Sequence, residues 1–534
     1  MRRSMPFLLT ACALAAPVHA QTFSADRIRA DVAFLADDLL EGRDAGTRGY
    51  DLAARWVAAE FEALGLKPGT ASGWYQRVPF VLAKDIPGSP STITINGRKL
   101  ISGQDVIVAP SPLYTNLTES AEAVFVGYGL EDSRYNLDDY RGLDVRGKVV
   151  VALYGSPGDV PSEIAATLND RKSDIAVAKG AIGMVTIATP AILARYPWAK
   201  IQESTSKPRL RWIQADGKPH IENSRLRLGG LINPAAATEL FKGTQTSWEE
   251  LAKQIGDKAA RPRGFALPGK IGFERKSQLD RMSSPNVIGV LPGSDPALSK
   301  EVVMLTAHLD HDGIVEPKNG DRVMNGAMDN AAGIATMLEA ARAFVESGKR
   351  PKRSVMFVAL TAEEDGLLGS EYLAEYPTLA GHRTVANVNL DMPILTYDFQ
   401  DVIAFGAEHS TVGKSVANAI SAIGVKSSPD PIPEEGLFTR SDHYSFVKKG
   451  VPSVMLSTGY AGPGKAAAEN FLAKHYHAVS DDLRQPFNWN AAAKFARVNY
   501  LIARELADAP EAPRWYAGDF FGEKFAKGAP KAAR

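Results

Sequence analysis

The chain has 534 residues, enough to bury at least one large core, and this length favours two or more domains. Basic and acidic residues number 61 each, so no net field draws in nucleic acid or an anionic membrane, and any substrate must be recognised by a local site. The single cysteine, Cys12, lies so near the amino terminus that a product trimmed of its first twenty residues has no disulfide, no thiol nucleophile and no cysteine-bound zinc.

Arg2 and Arg3, an apolar run over 6–17 and then Val18-His19-Ala20 read as a signal peptide cut before Gln21, which makes the mature protein periplasmic or secreted. Leu9-Thr10-Ala11-Cys12 also fits lipoprotein cleavage, a second reading in which the protein is anchored to a membrane surface. No later segment approaches about 18 continuous apolar residues, so no transmembrane segment is expected in the mature chain.

Two helical patterns follow. In the second, Leu52, Trp56, Ala59 and Leu64 fall on about one face, and Gly65 and Pro68 supply the stop. A β-rich passage over 71–108 includes Asn96-Gly97, a hairpin signal. Between 110 and 265, short apolar strands at 123–129, 148–153 and 181–187 are separated by glycines and charged turns, with a helical stretch over 164–179. That block holds one histidine, His220, and no clustered ligands, and reads as an inserted non-catalytic domain.

From about 285 strands and helices alternate. Strands are expected at 286–291, 302–307, 354–361, 385–390 and 454–457, and helices at 330–345 and 490–506, the latter burying Phe495, Val498 and Ile502. Strands covered on both faces predict an α/β fold of three layers, α/β/α, around a central sheet. The expected division is signal peptide 1–20, catalytic segments 21–109 and 266–515, insert 110–265, and a tail at 516–534 lying along the surface or fraying. Gly413-Lys414-Ser415 lacks the earlier glycine of a phosphate loop, and no G-x-S-x-G elbow occurs.

Five polar segments lie after or beside these strands: His308-Leu309-Asp310, Met328-Asp329-Asn330, Glu363-Glu364, Asp391 and Tyr476-His477. In open α/β sheets, ligands gather outside the carboxyl ends of strands, so such residues can share one crevice. Two imidazoles and three carboxylates suit two zinc ions. One assignment that fits places His308 and Asp391 on one zinc, His477 and Glu364 on the other, and Asp329 between them. Asp310 is then free to accept the second N–H of His308. Glu363 is the candidate general base for a water shared by the metals. His311, His443 and His475 remain open as alternative imidazoles.

The ordered set Ala307-His308-Leu309-Asp310, the run from Asn325 to Gly333, Thr361-Ala362-Glu363-Glu364, Asn389-Leu390-Asp391 and Tyr476-His477 resembles the cocatalytic di-zinc aminopeptidase family. Glutamate carboxypeptidase and the inactive transferrin receptor are among its wider relatives. Leu39-Leu40-Glu41-Gly42-Arg43 resembles the start of that family's catalytic domain, and the middle block looks like a protease-associated domain. The resemblance implies a zinc-exopeptidase fold with a mixed central sheet and two zinc ions held by His308, Asp329, Glu364, Asp391 and His477. It implies Glu363 as catalytic base and Tyr476 as a donor to the tetrahedral intermediate, and it places Ser441-Asp442-His443 near substrate. The expected activity is removal of amino-terminal residues from peptides or small proteins, with the insert available for protein contacts. A carboxypeptidase or dipeptidase on the same fold, and a non-catalytic binding module, are the alternatives.

Overall fold

The computed structural model describes residues 22–205, 207–318 and 320–534, so the expected signal peptide and Cys12 lie outside the described residues. Two hydrophobic cores account for most of the buried side chains, and one 27-residue strand, Phe265–Leu291, runs through the sheets that cover both.

The larger core lies under a mixed sheet. Its centre is the parallel row Ser354–Leu360, Glu301–His308, Arg383–Asn389 and Ser453–Thr458, adjacent in that order. The end of Phe265–Leu291 pairs antiparallel outside Ser354–Leu360, and Asp401–Phe405 pairs antiparallel outside Ser453–Thr458. The strand residues 302–308 and 354–360 are all buried, as a sheet covered on both faces requires. Helices Ala332–Glu346 and Trp489–Asp508 pack together against it, burying Ile334, Leu338, Phe495, Val498 and Ile502. This is the expected α/β/α architecture, and the expected strands and helices are found within a few residues of their places.

Helix Arg48–Ala63 presents a different face from the expected one. It buries Tyr50, Ala53, Ala54, Val57, Ala58 and Phe61, whereas Leu52 is exposed. The helix carries two apolar stripes; the one with the small residues comes close to the sheet, and Trp56 of the other stacks on Phe34 at 4.8 Å.

The second core is built on strands Asn116–Phe125, Val149–Leu153, Gly183–Ile187 and Leu228–Ile232. It also takes in Ile93, Ile95 and Leu100 from the hairpin Thr92–Ile95/Arg98–Ile101, and Ile271 and Phe273 from the long strand. This lobe therefore extends beyond 110–265 on both sides, because the hairpin pairs with residues 271–274 of the long strand and not with the sheet of the larger core. Asn96 and Gly97 turn that hairpin with positive φ at both positions, 49° and 81°.

The C-terminal segment is not a frayed tail. Trp515, Phe520 and Phe521 are buried with Phe438 and Tyr444, and the Trp515 indole N–H donates to the Gly450 carbonyl at 2.8 Å. Among the described residues no helix is long and apolar enough to cross a membrane.

Candidate metal centre

The parallel strands deliver their carboxyl ends side by side. His308 closes its strand, Glu363 and Glu364 follow Leu360, and Asp391 follows Asn389. Asp329 lies in the turn that leads into Ala332–Glu346, and His477 comes after the helix Gly464–Lys474. All five expected ligands meet in one crevice. His308 Nε2 is 3.1 Å from Asp391 Oδ1 and 3.2 Å from Asp329 Oδ1, and His477 Nε2 is 3.3 Å from Glu364 Oε2 and 3.6 Å from Asp329 Oδ2. A zinc about 2.0–2.1 Å from each of four tetrahedral ligands would separate neighbouring ligand atoms by about 3.3 Å, so the donor set fits that metal in chemistry and in spacing. The two oxygens of Asp329 face the two histidines, one each, as a bridging carboxylate would.

The side chains behind the ligands differ in part from expectation. His308 Nδ1 lies 3.1 Å from the Asp310 backbone carbonyl, not from its carboxylate. That carboxylate instead accepts the backbone N–H groups of Glu363 and Glu364, at 3.1 and 3.2 Å. Asp310 thus fixes the acid pair, because the turn after Leu360 folds its amides over the buried oxygens. His477 Nδ1 is held by Asp312 at 3.2 Å. Asp481 accepts from the Met328 and Asp329 N–H groups at 2.9 and 3.0 Å, which locks the segment between the two histidines. Asn330 ties that segment to the Asp391 loop by donating to Leu390 O at 3.0 Å and accepting from Met392 N at 3.1 Å. Gly333 is required beside it, since a Cβ there would lie 2.0 Å from Asn330 Oδ1. Asp391 Oδ2 accepts from Ser441, whose hydroxyl receives Asn389 Nδ2 at 2.7 Å.

Arg43 is buried beneath these loops. Its guanidinium donates to the carbonyls of Leu309, Asn325 and Gly326 at 2.9, 2.7 and 3.1 Å, and also to that of Leu35. Burial lowers its pKa to about 10 and the site's acids, Asp310 first, oppose that shift, so it stays charged at neutral pH.

Electrostatics sort the remaining candidates. Burial pushes Glu363 well above the ordinary carboxylate range, with His308 opposing, so its affinity for a proton is strong. Burial and the acids Asp329 and Glu364 keep the Tyr476 phenol protonated, a neutral donor. Burial disfavours charge on His477, yet Glu364, Asp312 and Asp329 hold its pKa up to about 9. His443 has no exposed surface, both its ring nitrogens are without hydrogen-bond partners, and burial lowers its pKa to about 4. Its ring lies against Phe438, with centroids 5.3 Å apart. His475 is turned away, bonded to Ser480 and Gln485. His311 is not: its Nδ1 is 2.6 Å from Glu364 Oε1, and with Asp329 and Glu364 it forms another close group of ligand atoms. Sequence reading left His311 open and placed Ser441 only near substrate, and it passed over Asp312, Asp481 and the carbonyl contacts of Arg43.

The imidazoles and carboxylates gathered at these adjacent strand ends form groups that could hold a divalent metal. Residues 286–503 match Peptidase family M28. Among curated relatives, the chain is 24% identical over 322 residues to a glutamate carboxypeptidase 2 homolog of Caenorhabditis elegans, covering 52% of this chain and 38% of that protein. It is 24% identical over 316 residues to a probable zinc metalloprotease of Pyricularia oryzae, covering 51% of this chain and 60% of that one. The matches thus span less than two thirds of either relative. An aminopeptidase from Aneurinibacillus sp. strain AM-1 shares the fold over 92% of this chain and 95% of its own, with a TM-score of 0.51 and 20% identity.

Proposed function

We propose that the protein is an exported, two-zinc aminopeptidase. His308 and Asp391 would hold one ion, His477 and Glu364 the other, and Asp329 would bridge them. When bound, the metal pair would polarise a scissile carbonyl and acidify water. Glu363 would take a proton from the attacking water and return it to the leaving amine, and the Asp310 carboxylate holds its backbone by accepting the Glu363 N–H. The protonated Tyr476 phenol is the donor available to a developing oxyanion. The lobe built around 92–276 would be the protease-associated domain that the sequence resemblance implies, and the part available for protein contacts.

The observation that favours a free amino terminus over a carboxyl terminus is the surplus of acid around the cradle. Besides the proposed ligands, Asp44 and Asp365 lie beside Asp312 and Glu364, and burial first and these charges second raise Asp365 to about 7 and Asp44 to about 6. Two of the neighbouring cations are already engaged, Lys207 by Asp312 at 2.5 Å and Arg440 by Glu435 at 2.8 Å. Such a rim attracts an ammonium and repels a carboxylate. A carboxypeptidase, the activity named for the Caenorhabditis relative, is the second reading. Product mapping on a peptide pool with zinc-loaded enzyme separates them. Stepwise loss from free amino termini, abolished by acetylation, is expected. Cleavage blocked instead by carboxyl amidation would overturn the reading.

A further inference from the structure

Four of the five groups of close ligand atoms among the described residues belong to the crevice above. The fifth is elsewhere. Glu163, on helix Ser162–Asp170 of the second lobe, meets Glu408 and His409 of a single turn, Ala407–His409, in the catalytic lobe. His409 Nε2 is 3.0 Å from Glu163 Oε2 and 4.0 Å from Glu408 Oε1, separations that straddle the tetrahedral edge of about 3.3 Å around zinc.

Three further observations distinguish this group from a chance meeting of charges. The other ring nitrogen, Nδ1, is 2.7 Å from Asp519 Oδ2, and Asp519 is buried and itself fixed by Phe521 and Gly522 N–H groups on its other oxygen, each at 3.0 Å. A buried carboxylate behind a histidine is the arrangement that orients a metal-binding imidazole. The ring is also wedged between Phe438 and Phe521, with centroids at 5.0 and 4.7 Å, which fixes the direction in which Nε2 points. Finally, a cavity of about 390 Å³, lined by Glu163, Glu408, His409 and Asp430 among others, opens directly on these atoms and gives an ion a way in.

We propose that Glu163, Glu408 and His409 Nε2 form a further divalent-metal site of the zinc class, which clamps the second lobe to the catalytic lobe and, through Asp519, to the C-terminal segment. One imidazole with two carboxylates selects zinc over calcium, which takes six to eight oxygen ligands. In the metal-free protein a second imidazole proton fills the same place: burial disfavours it, but Asp519 and Glu163 hold the His409 pKa up to about 10. The ion would displace that proton.

The test compares zinc content and zinc-dependent melting of the full-length chain with those of the double variant Glu163→Gln/Glu408→Gln and of Asp519→Asn. The expected result is one fewer zinc equivalent in the double variant after equilibrium dialysis, whatever number the crevice retains. Asp519→Asn should weaken the same equivalent by about 10–100-fold. The rise in melting temperature on adding zinc to stripped protein should shrink in both variants. Equal zinc content and equal zinc-dependent stabilisation in all three proteins would overturn the site and leave an ion-paired histidine. If the double variant fails to fold, Glu408→Gln alone settles the count, because that side chain is 59% exposed.

Discussion

Replacing Arg43 by methionine tests whether the ligand loops are held from beneath. The guanidinium donates to four backbone carbonyls, and two of them belong to residues next to proposed site positions: Leu309 adjoins His308, and Gly326 lies in the turn leading to Asp329. Methionine fills much of the volume but leaves the Leu35, Leu309 and Asn325 carbonyls without the guanidinium, while the Gly326 carbonyl keeps the Ala331 N–H at 3.1 Å. Hydrogen bonds to a charged donor contribute about 1.5–3 kcal/mol each, and each buried acceptor left unpaired costs about 1–3 kcal/mol. The four are not additive, because they share one side chain, and removing a buried cation recovers part of its desolvation. A net loss of about 3–5 kcal/mol is expected, from up to three buried acceptors left unpaired at about 1–3 kcal/mol each less the recovered desolvation. Because Leu309 and Gly326 would also be released, zinc should bind more weakly even where the variant remains folded. Thermal melting with and without zinc, followed by competition against a chromophoric chelator, measures both effects. A methionine variant within about 1 kcal/mol of the parent and with unchanged zinc affinity would refute the reasoning.

Glu363→Gln should retain metal and lose about 10²–10⁴ in kcat through the missing proton transfer; parental turnover in metal-verified protein would remove Glu363 from the mechanism. Asp481→Ala frees the Met328 and Asp329 amides and should weaken zinc binding by about 10–100-fold without touching a ligand, as read by chelator competition. His477→Gln should lower the zinc count whereas His311→Gln should not; the reverse outcome would exchange their roles. Lys172 offers a pH test away from the crevice. Burial lowers its pKa from 10.5 to about 7, so between those values the unfolded chain binds more protons than the folded one. Its contribution therefore favours folding increasingly as pH rises, by at most about 1.4 kcal/mol per unit, and Lys172→Met should lack that rise when the two proteins are melted between pH 6.5 and 9.

The catalytic sheet was legible because its central strands are apolar on both faces and each ends in a polar segment. A strand such as Val355 to Leu360 followed at once by Glu363-Glu364 marks both the element and the crevice. The supporting contacts were not legible. Asp310 is two residues from His308, which suggested a bond from its carboxylate, yet the backbone carbonyl takes that place and the carboxylate turns to the Glu363 amide. Spacing along a chain does not say whether a residue offers its side chain or its carbonyl. Arg43 was visible only as part of a resembling segment, because its partners are backbone atoms, which carry no sequence signal. Helix Arg48–Ala63 misled because Leu52 and Trp56 looked like the core face, and the stripe of alanines with Tyr50, Val57 and Phe61 allowed the closer approach. The long strand Phe265–Leu291 joins both cores, so the limits of the second lobe are set by pairing with residues far away in sequence.

Anomalous scattering at the zinc edge from crystals of zinc-reconstituted protein tests the central claim most directly. The account predicts two peaks in the crevice, one between His308 and Asp391 and one between His477 and Glu364, with Asp329 reaching both. A single peak there, or a pair of peaks that His477 does not touch, would contradict it.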